Sequence, residues 1–80
     1  MTAPDPLLAV FAEGLGLPVD TLDEHTSPDN TPQWDSLAAI TLVTLIEDQF
    51  DVTLKTREVM RMQTIGLARD VLRGKGVDGI

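Results

Sequence analysis

The sequence predicts an all-α fold: a small four-helix bundle, three longer helices and a short third helix, with a long loop between helices 1 and 2. Three observations carry that prediction. Apolar residues recur at helical rather than alternating spacing, and residues suited to cap a helix precede most of those segments. Pro18, Pro28 and Pro32, set among Asp, Asn, Ser and Thr, exclude a continuous helix or a central strand from one extended stretch. A chain of 80 residues, 42% apolar and 24% charged, is a single folded domain near the size at which one core suffices.

Helix 1 is expected over residues 5–14. Asp5 can cap it, Pro6 suits its first turn, Leu7, Leu8, Val10 and Phe11 share a face, and Gly14 with Gly16 should stop it. Residues 15–35 form the connection, where Leu15, Leu17, Val19 and Leu22 could pin a loop onto the helices and Asp20 to Glu24 could make a short turn. Helix 2 is the clearest element. Asp35 is a good N-cap, and Ser36 to about Phe50 contains neither Gly nor Pro. A 100° advance per residue puts Ala39, Leu42, Val43, Ile46 and Phe50 on one side and Ser36, Leu37, Ile40, Thr41, Thr44, Glu47 and Asp48 on the other. Val52 and Leu54 follow in an extended link. Helix 3 fits Thr56–Arg61 with Thr56 as cap; helix 4 fits Thr64 to Arg73, with Thr64 as cap and Ile65, Ala68, Val71 and Leu72 on its inner face. The expected core spans residues 5–73, and Gly74, Gly76 and Gly79 lead to the expectation that residues 74–80 fray.

Charge is unevenly placed. The net −7 divides into ten acids without a single Lys or Arg in residues 1–54, and six bases against Glu58, Asp70 and Asp78 in residues 55–80. An acidic chain of this kind is repelled by phosphate backbones and anionic membranes, and a helix 2 with no basic residue argues against a helix-turn-helix DNA reader. The absence of cysteine excludes a disulfide framework, a thiol catalyst and a cysteine zinc site. Neither a signal-peptide pattern nor an apolar run long enough for a bilayer is present, so the expectation is a cytoplasmic monomer with transient protein partners.

Ser36 is the residue to single out. It opens the strongest helix directly after a capping acid, where unpaired N–H groups and the positive end of the helix dipole favour a phosphate ester. A serine at this position is also a common purely structural placement. Hydrolysis through Ser36 lacks its parts, because the only histidine is His25, in the loop, and no G-x-S-x-G turn exists. Asp20, Asp23, Glu24 and Asp29 lack the alternating ligands and glycine of a calcium loop.

Trp34-Asp35-Ser36-Leu37, then Leu42-Val43, Ile46-Glu47-Asp48 and Phe50, with Thr64-Ile65 opening the last helix, resembles the acyl carrier and peptidyl carrier protein family over roughly residues 5–73. The resemblance implies a carrier rather than an enzyme. Ser36 would accept a covalent 4′-phosphopantetheine from coenzyme A, and the distal thiol of that arm would hold an acyl or aminoacyl thioester. Asp35 would cap helix 2 and help a phosphopantetheinyl transferase position the serine. Leu37 and Ile40 would be apolar contacts for partner enzymes: the transferase, an acyl- or aminoacyl-loading enzyme, a ketosynthase or an acyltransferase. Thr41 and Thr44 would share that face, Glu47 and Asp48 would steer basic partners, Arg57 and Arg61 would add bases on helix 3, and Met62 would lie near the root of the arm.

Fatty-acid-type carriers usually have a small residue where this chain has Trp34, acids where it has Ala38 and Thr41, and an acidic helix 3 where it has Lys55, Arg57 and Arg61. The Trp-Asp-Ser-Leu form is similar to carriers of specialised pathways, such as polyketide biosynthesis, with a peptidyl or D-alanyl carrier as the alternative. Outside the family, a helical interaction domain that carries nothing would also expose Leu37 and Ile40.

Overall fold

The computed structural model describes residues 5–80, as four α-helices in the order α1 (Pro6–Leu15), α2 (Ser36–Phe50), α3 (Thr56–Arg61) and α4 (Ile65–Gly74), with a single 3-10 turn at Val19–Thr21 in the α1–α2 loop. No strand occurs among the described residues. The architecture is the small helical bundle that the periodicity predicts.

Helix α1 begins where its free N–H groups find an acceptor: the Asp5 carboxylate takes those of Leu7 and Leu8 at 3.0 and 3.3 Å, and Pro6 occupies the first turn, where a missing N–H costs nothing. The helix ends one residue later than expected. Gly14 lies inside it, and Gly16 stops it, in the left-handed region at φ 68°, with the Gly16 and Leu17 N–H groups both donating to the Ala12 carbonyl. Gly14 has a packing role instead. A Cβ built there would sit 2.5 Å from Leu42 Cδ2, so the missing side chain lets α2 approach α1 closely.

Across that contact the core assembles from one stripe per long helix: Leu7, Val10, Phe11 and Leu15 from α1, Leu42 and Ile46 from α2, and Ile65, Ala68, Val71 and Leu72 from α4. Trp34 and Leu22 from the loop and Met62 beyond α3 complete it. Ala39, Leu45 and Phe50 pack at its edge. Helix α3 is capped by Lys55 rather than Thr56: the Lys55 N–H donates to Glu58 Oε1 at 2.9 Å, and the Glu58 N–H returns to the Lys55 carbonyl.

Leu15 and Leu22 are buried in the core and Leu17 packs at its edge, as expected of residues that pin the loop, while Val19 remains exposed; hydrogen bonds within the loop add to this. Asn30 is its hub, accepting from the Ser27 N–H and the Thr31 hydroxyl and donating to the His25 carbonyl. The loop then supplies the acceptors that α4 needs. The N–H groups of Ile65 and Gly66 donate to the carbonyls of Thr26 and Glu24, both at 3.1 Å, and the Leu67 N–H donates to Thr64 Oγ1. Gly66 suits that approach, since a Cβ would lie 3.1 Å from the Glu24 carbonyl oxygen and the loop would have to give by a few tenths of an ångström.

One buried cation ties these parts together. The Arg69 side chain is 8% exposed and forks onto two carboxylates, Asp5 at 2.7 Å and Glu24 at 2.7 Å, while its remaining donor reaches the Ile80 main-chain oxygen at 3.0 Å. All five guanidinium donors are thereby used. Residues 74–80, expected to fray, return to the body instead: Gly74 ends α4, Val77 and Ile80 pack against the core, and Arg73 also donates to Ile80.

Candidate functional site

The site is built around the start of α2. Asp35, in extended conformation, accepts the Ala38 N–H on Oδ1 at 2.9 Å, and its carbonyl accepts that of Ala39. The cap leaves the N–H groups of Ser36 and Leu37 with no acceptor among the described residues. Ser36 is exposed, and its hydroxyl makes no hydrogen bond to any described residue. An exposed hydroxyl beside free N–H donors, at the positive end of a fifteen-residue helix, is placed to carry a phosphate ester. The donor set fits the phosphate end of 4′-phosphopantetheine. Beside it, Pro28, Trp34, Asp35, Ser36 and Ala39 line an open trough of about 280 Å³.

The expected partner residues separate into three groups. Leu37 and Ile40 are 76% and 66% exposed, far more than apolar residues of their size with a place in the core. Asp48, Arg57 and Arg61 are also exposed, and neither arginine pairs with a described carboxylate. Thr41 and Thr44 face solvent but turn their hydroxyls back onto their own helix, bonding the carbonyls of Leu37 and Ile40 at 3.1 Å each; they present methyl groups outward. Glu47 departs from the expected role of a free acid, because it is half-buried and its Oε2 accepts the Leu54 N–H at 2.8 Å, fastening the link after α2. Met62 departs as well. It is buried among Phe11, Trp34 and Leu42, where a methionine fills an irregular gap, and it offers no surface at the root of the arm.

Two features escaped sequence reasoning. Met60, on α3, is 67% exposed, and Val59 before it joins Ala39, Ile40, Val43 and Thr44 around an apolar groove of about 210 Å³ between α2 and α3. The alternation of 59 and 60 on a six-residue helix is too short to show a face. His25 is exposed, as expected of a loop residue, and its side chain joins no cluster.

Electrostatics separate fold from site. Burial pushes the Asp5 carboxyl up, but hydrogen bonds from Arg69, Leu8 and Leu7 and the nearby guanidinium charge outweigh it and hold the group below its ordinary value. The Lys55 N–H and the Lys75 ammonium, 3.0 Å away, hold Glu58 below its ordinary value too. The hydrogen bond to Glu24, opposed by burial and joined by Asp5, raises Arg69 further, so it stays charged at any pH the fold survives. The groups held away from their ordinary values, Asp5, Glu58 and Arg69, thus belong to the scaffold. Among the described residues no three His, Cys, Asp or Glu side chains gather as a metal site.

A small helical bundle that exposes one helix-opening serine beside apolar surface has the form of a carrier that presents a covalently attached group to other proteins. The comparisons with known proteins agree. The family model described as the phosphopantetheine attachment site matches residues 5–68. An acyl carrier protein from Beutenbergia cavernae is 35% identical over 68 residues, which cover 85% of this chain and 83% of that protein. The chain belongs to the phosphopantetheine-binding acyl carrier family. It is a carrier and not a catalyst, a substrate of a phosphopantetheinyl transferase, and 4′-phosphopantetheine is its covalent group. Its partners are that transferase and acyl-processing enzymes. No helix among the described residues is long and apolar enough to cross a membrane.

Proposed function

We propose that Ser36 is the attachment residue and that the protein carries acyl thioesters for a dedicated, specialised pathway of the polyketide kind. The observation that carries the reading is the exposed Ser36 hydroxyl at the start of α2, beside its own free N–H and that of Leu37. Ser36 Oγ displaces the nucleotide half of coenzyme A at phosphorus: one P–O bond forms as another breaks, and the hydroxyl proton leaves to a base on the transferase. Asp35 holds the first turn of α2 in place for that attack. The arm supplies the thiol that a chain without cysteine lacks.

The α2 face then meets partners through Leu37 and Ile40, with Asp48, Arg57 and Arg61 around them. That mixture of signs supports the specialised role. Glu47 is engaged by Leu54 and α3 contributes free bases, so a partner built for a uniformly acidic surface finds little to bind. The test is intact mass after incubation with a promiscuous phosphopantetheinyl transferase and coenzyme A. Wild type should gain one phosphopantetheine and Ser36→Ala none. An adduct on Ser36→Ala would move the attachment site elsewhere.

A further inference from the structure

Between α2 and α3 lies a small apolar hollow of about 40 Å³, bounded by Phe11, Trp34, Leu42 and Met62 among others. A dry cavity of about 150 Å³ is the scale that accepts a benzene ring. The hollow is therefore too small for an extended alkyl chain, and Trp34 is the bulkiest side chain on its wall. Its ring packs edge-on against Phe11, with centroids 5.2 Å apart and an interplanar angle of 60°, and it is 7% exposed. It also forms part of the wall of the trough that contains Ser36. The same indole therefore borders the interior on one side and the attachment trough on the other. The α2–α3 groove outside it, reached from the trough through the shared residue Ala39, is open and lined by Ile40, Val43 and Val59.

We propose that Trp34 is a specificity-determining residue: it closes the bundle to the acyl end of the arm, so the carrier serves short acyl groups that ride outside, against the α2–α3 groove. The inference rests on the carrier reading of Ser36. A long chain kept out of the interior would leave its methylenes in water, which disfavours it, whereas a short or polar acyl group needs no such shelter. Trp34 acts by exclusion. It touches neither the bond made at Ser36 nor the thioester.

The test loads the protein at Ser36 with acetyl-, hexanoyl- and dodecanoyl-pantetheine arms, using the corresponding acyl-coenzyme A and a promiscuous transferase. Melting temperature is recorded for each form, with the NMR shifts of the Trp34 indole, the Met62 methyl and the Ile40 methyls. In wild type the Trp34 and Met62 signals should be the same for all three arms, melting temperatures should agree within about 1 °C, and only Ile40 should respond to chain length. Shifts of Trp34 and Met62 that grow with chain length, with a rising melting temperature, would overturn the proposal. Trp34→Leu, milder than Trp34→Ala, should open the interior and make melting temperature rise from acetyl to dodecanoyl; a folded Trp34→Leu with no such rise would remove Trp34 as the barrier. If Trp34→Leu does not fold, the wild-type series still decides. Failure of any arm to attach at Ser36 would instead refute the attachment reading, a result visible by mass before any spectrum is taken.

Discussion

The two ends of this bundle use the same kinds of residue for opposite purposes. At the end formed by α1, the long loop and α4, polar groups are consumed: Arg69 spends all five donors, Glu24 and Thr26 give their carbonyls to α4, and Asn30 organises the loop. At the end formed by α2 and α3, polar groups are left over. Ser36 and Leu37 keep free N–H groups, Arg57 and Arg61 have no described carboxylate partner, and Leu37, Ile40 and Met60 stay exposed. What is satisfied holds the fold, and what is unsatisfied is available to a prosthetic group or a partner. The difference can be broken or sharpened by substitution.

The largest effect should come from the core that both ends share. Leu42 is 3% exposed, lies against Gly14 and borders the interior void, so Leu42→Ala should cost about 3–5 kcal/mol by urea denaturation. A variant that unfolds like wild type would mean that the α1–α2 contact is not as close as drawn.

Next is the consumed end. Arg69→Met would leave two carboxylates facing a position with no cation. Breaking a fully buried pair costs about 3–5 kcal/mol, but Asp5 and Glu24 are 31% and 49% exposed and can recover water, so about 2 kcal/mol is expected. At the open end, Leu37→Ala should change stability by less than about 0.5 kcal/mol. Equal costs for the two would erase the distinction between the ends.

The Arg69 cluster should also shape the acid response, together with the Glu58–Lys75 pair that ties α3 to the segment after α4. The folded-state values of Asp5 and Glu58 are depressed, so each contributes stability that is fully present above the unfolded value, about 4. That contribution is lost as pH falls through the folded values. The urea midpoint should hold between about pH 5 and 7 and fall below about pH 4. Asp5→Asn should flatten part of that fall, and an unchanged acid limb would show that the Arg69 cluster carries no proton-linked stability.

The smallest effect is local. Asp51 ends α2 in the left-handed region at φ 53°, which glycine adopts without steric cost. Asp51→Gly should stabilise the protein by up to about 1 kcal/mol, and destabilisation would point to an unseen role for that carboxylate.

How far the sequence alone reaches follows the same division. Local chemistry was readable: Asp5, Asp35 and Thr64 cap the helices expected of them, α2 and α3 have the anticipated bounds, and the inner face of α4 is buried throughout. These features depend on neighbours within a turn. Gly14 and Glu47 depart from expectation because their roles depend on residues beyond their own turn: Leu42 for Gly14, and Leu54, seven residues on, for Glu47. A glycine reads as a helix stop until the approach of another helix is known, and the joining of Arg69 to Asp5 and Glu24 leaves no local signature in the sequence. Met62, expected beside the root of the arm, is turned inward after α3 and buried, which its place in the sequence does not reveal.

On the proposed reading the open start of α2 holds one covalent group, at the Ser36 hydroxyl, and the surface around it meets partner enzymes. Intact mass and melting temperature of wild type and Ser36→Ala, taken together after exposure to a promiscuous transferase and coenzyme A, test it most directly. A single phosphopantetheine on wild type, none on Ser36→Ala, and melting temperatures within about 2 °C of each other are the predicted result. An adduct on Ser36→Ala, or no adduct on a fully folded wild type, would contradict it.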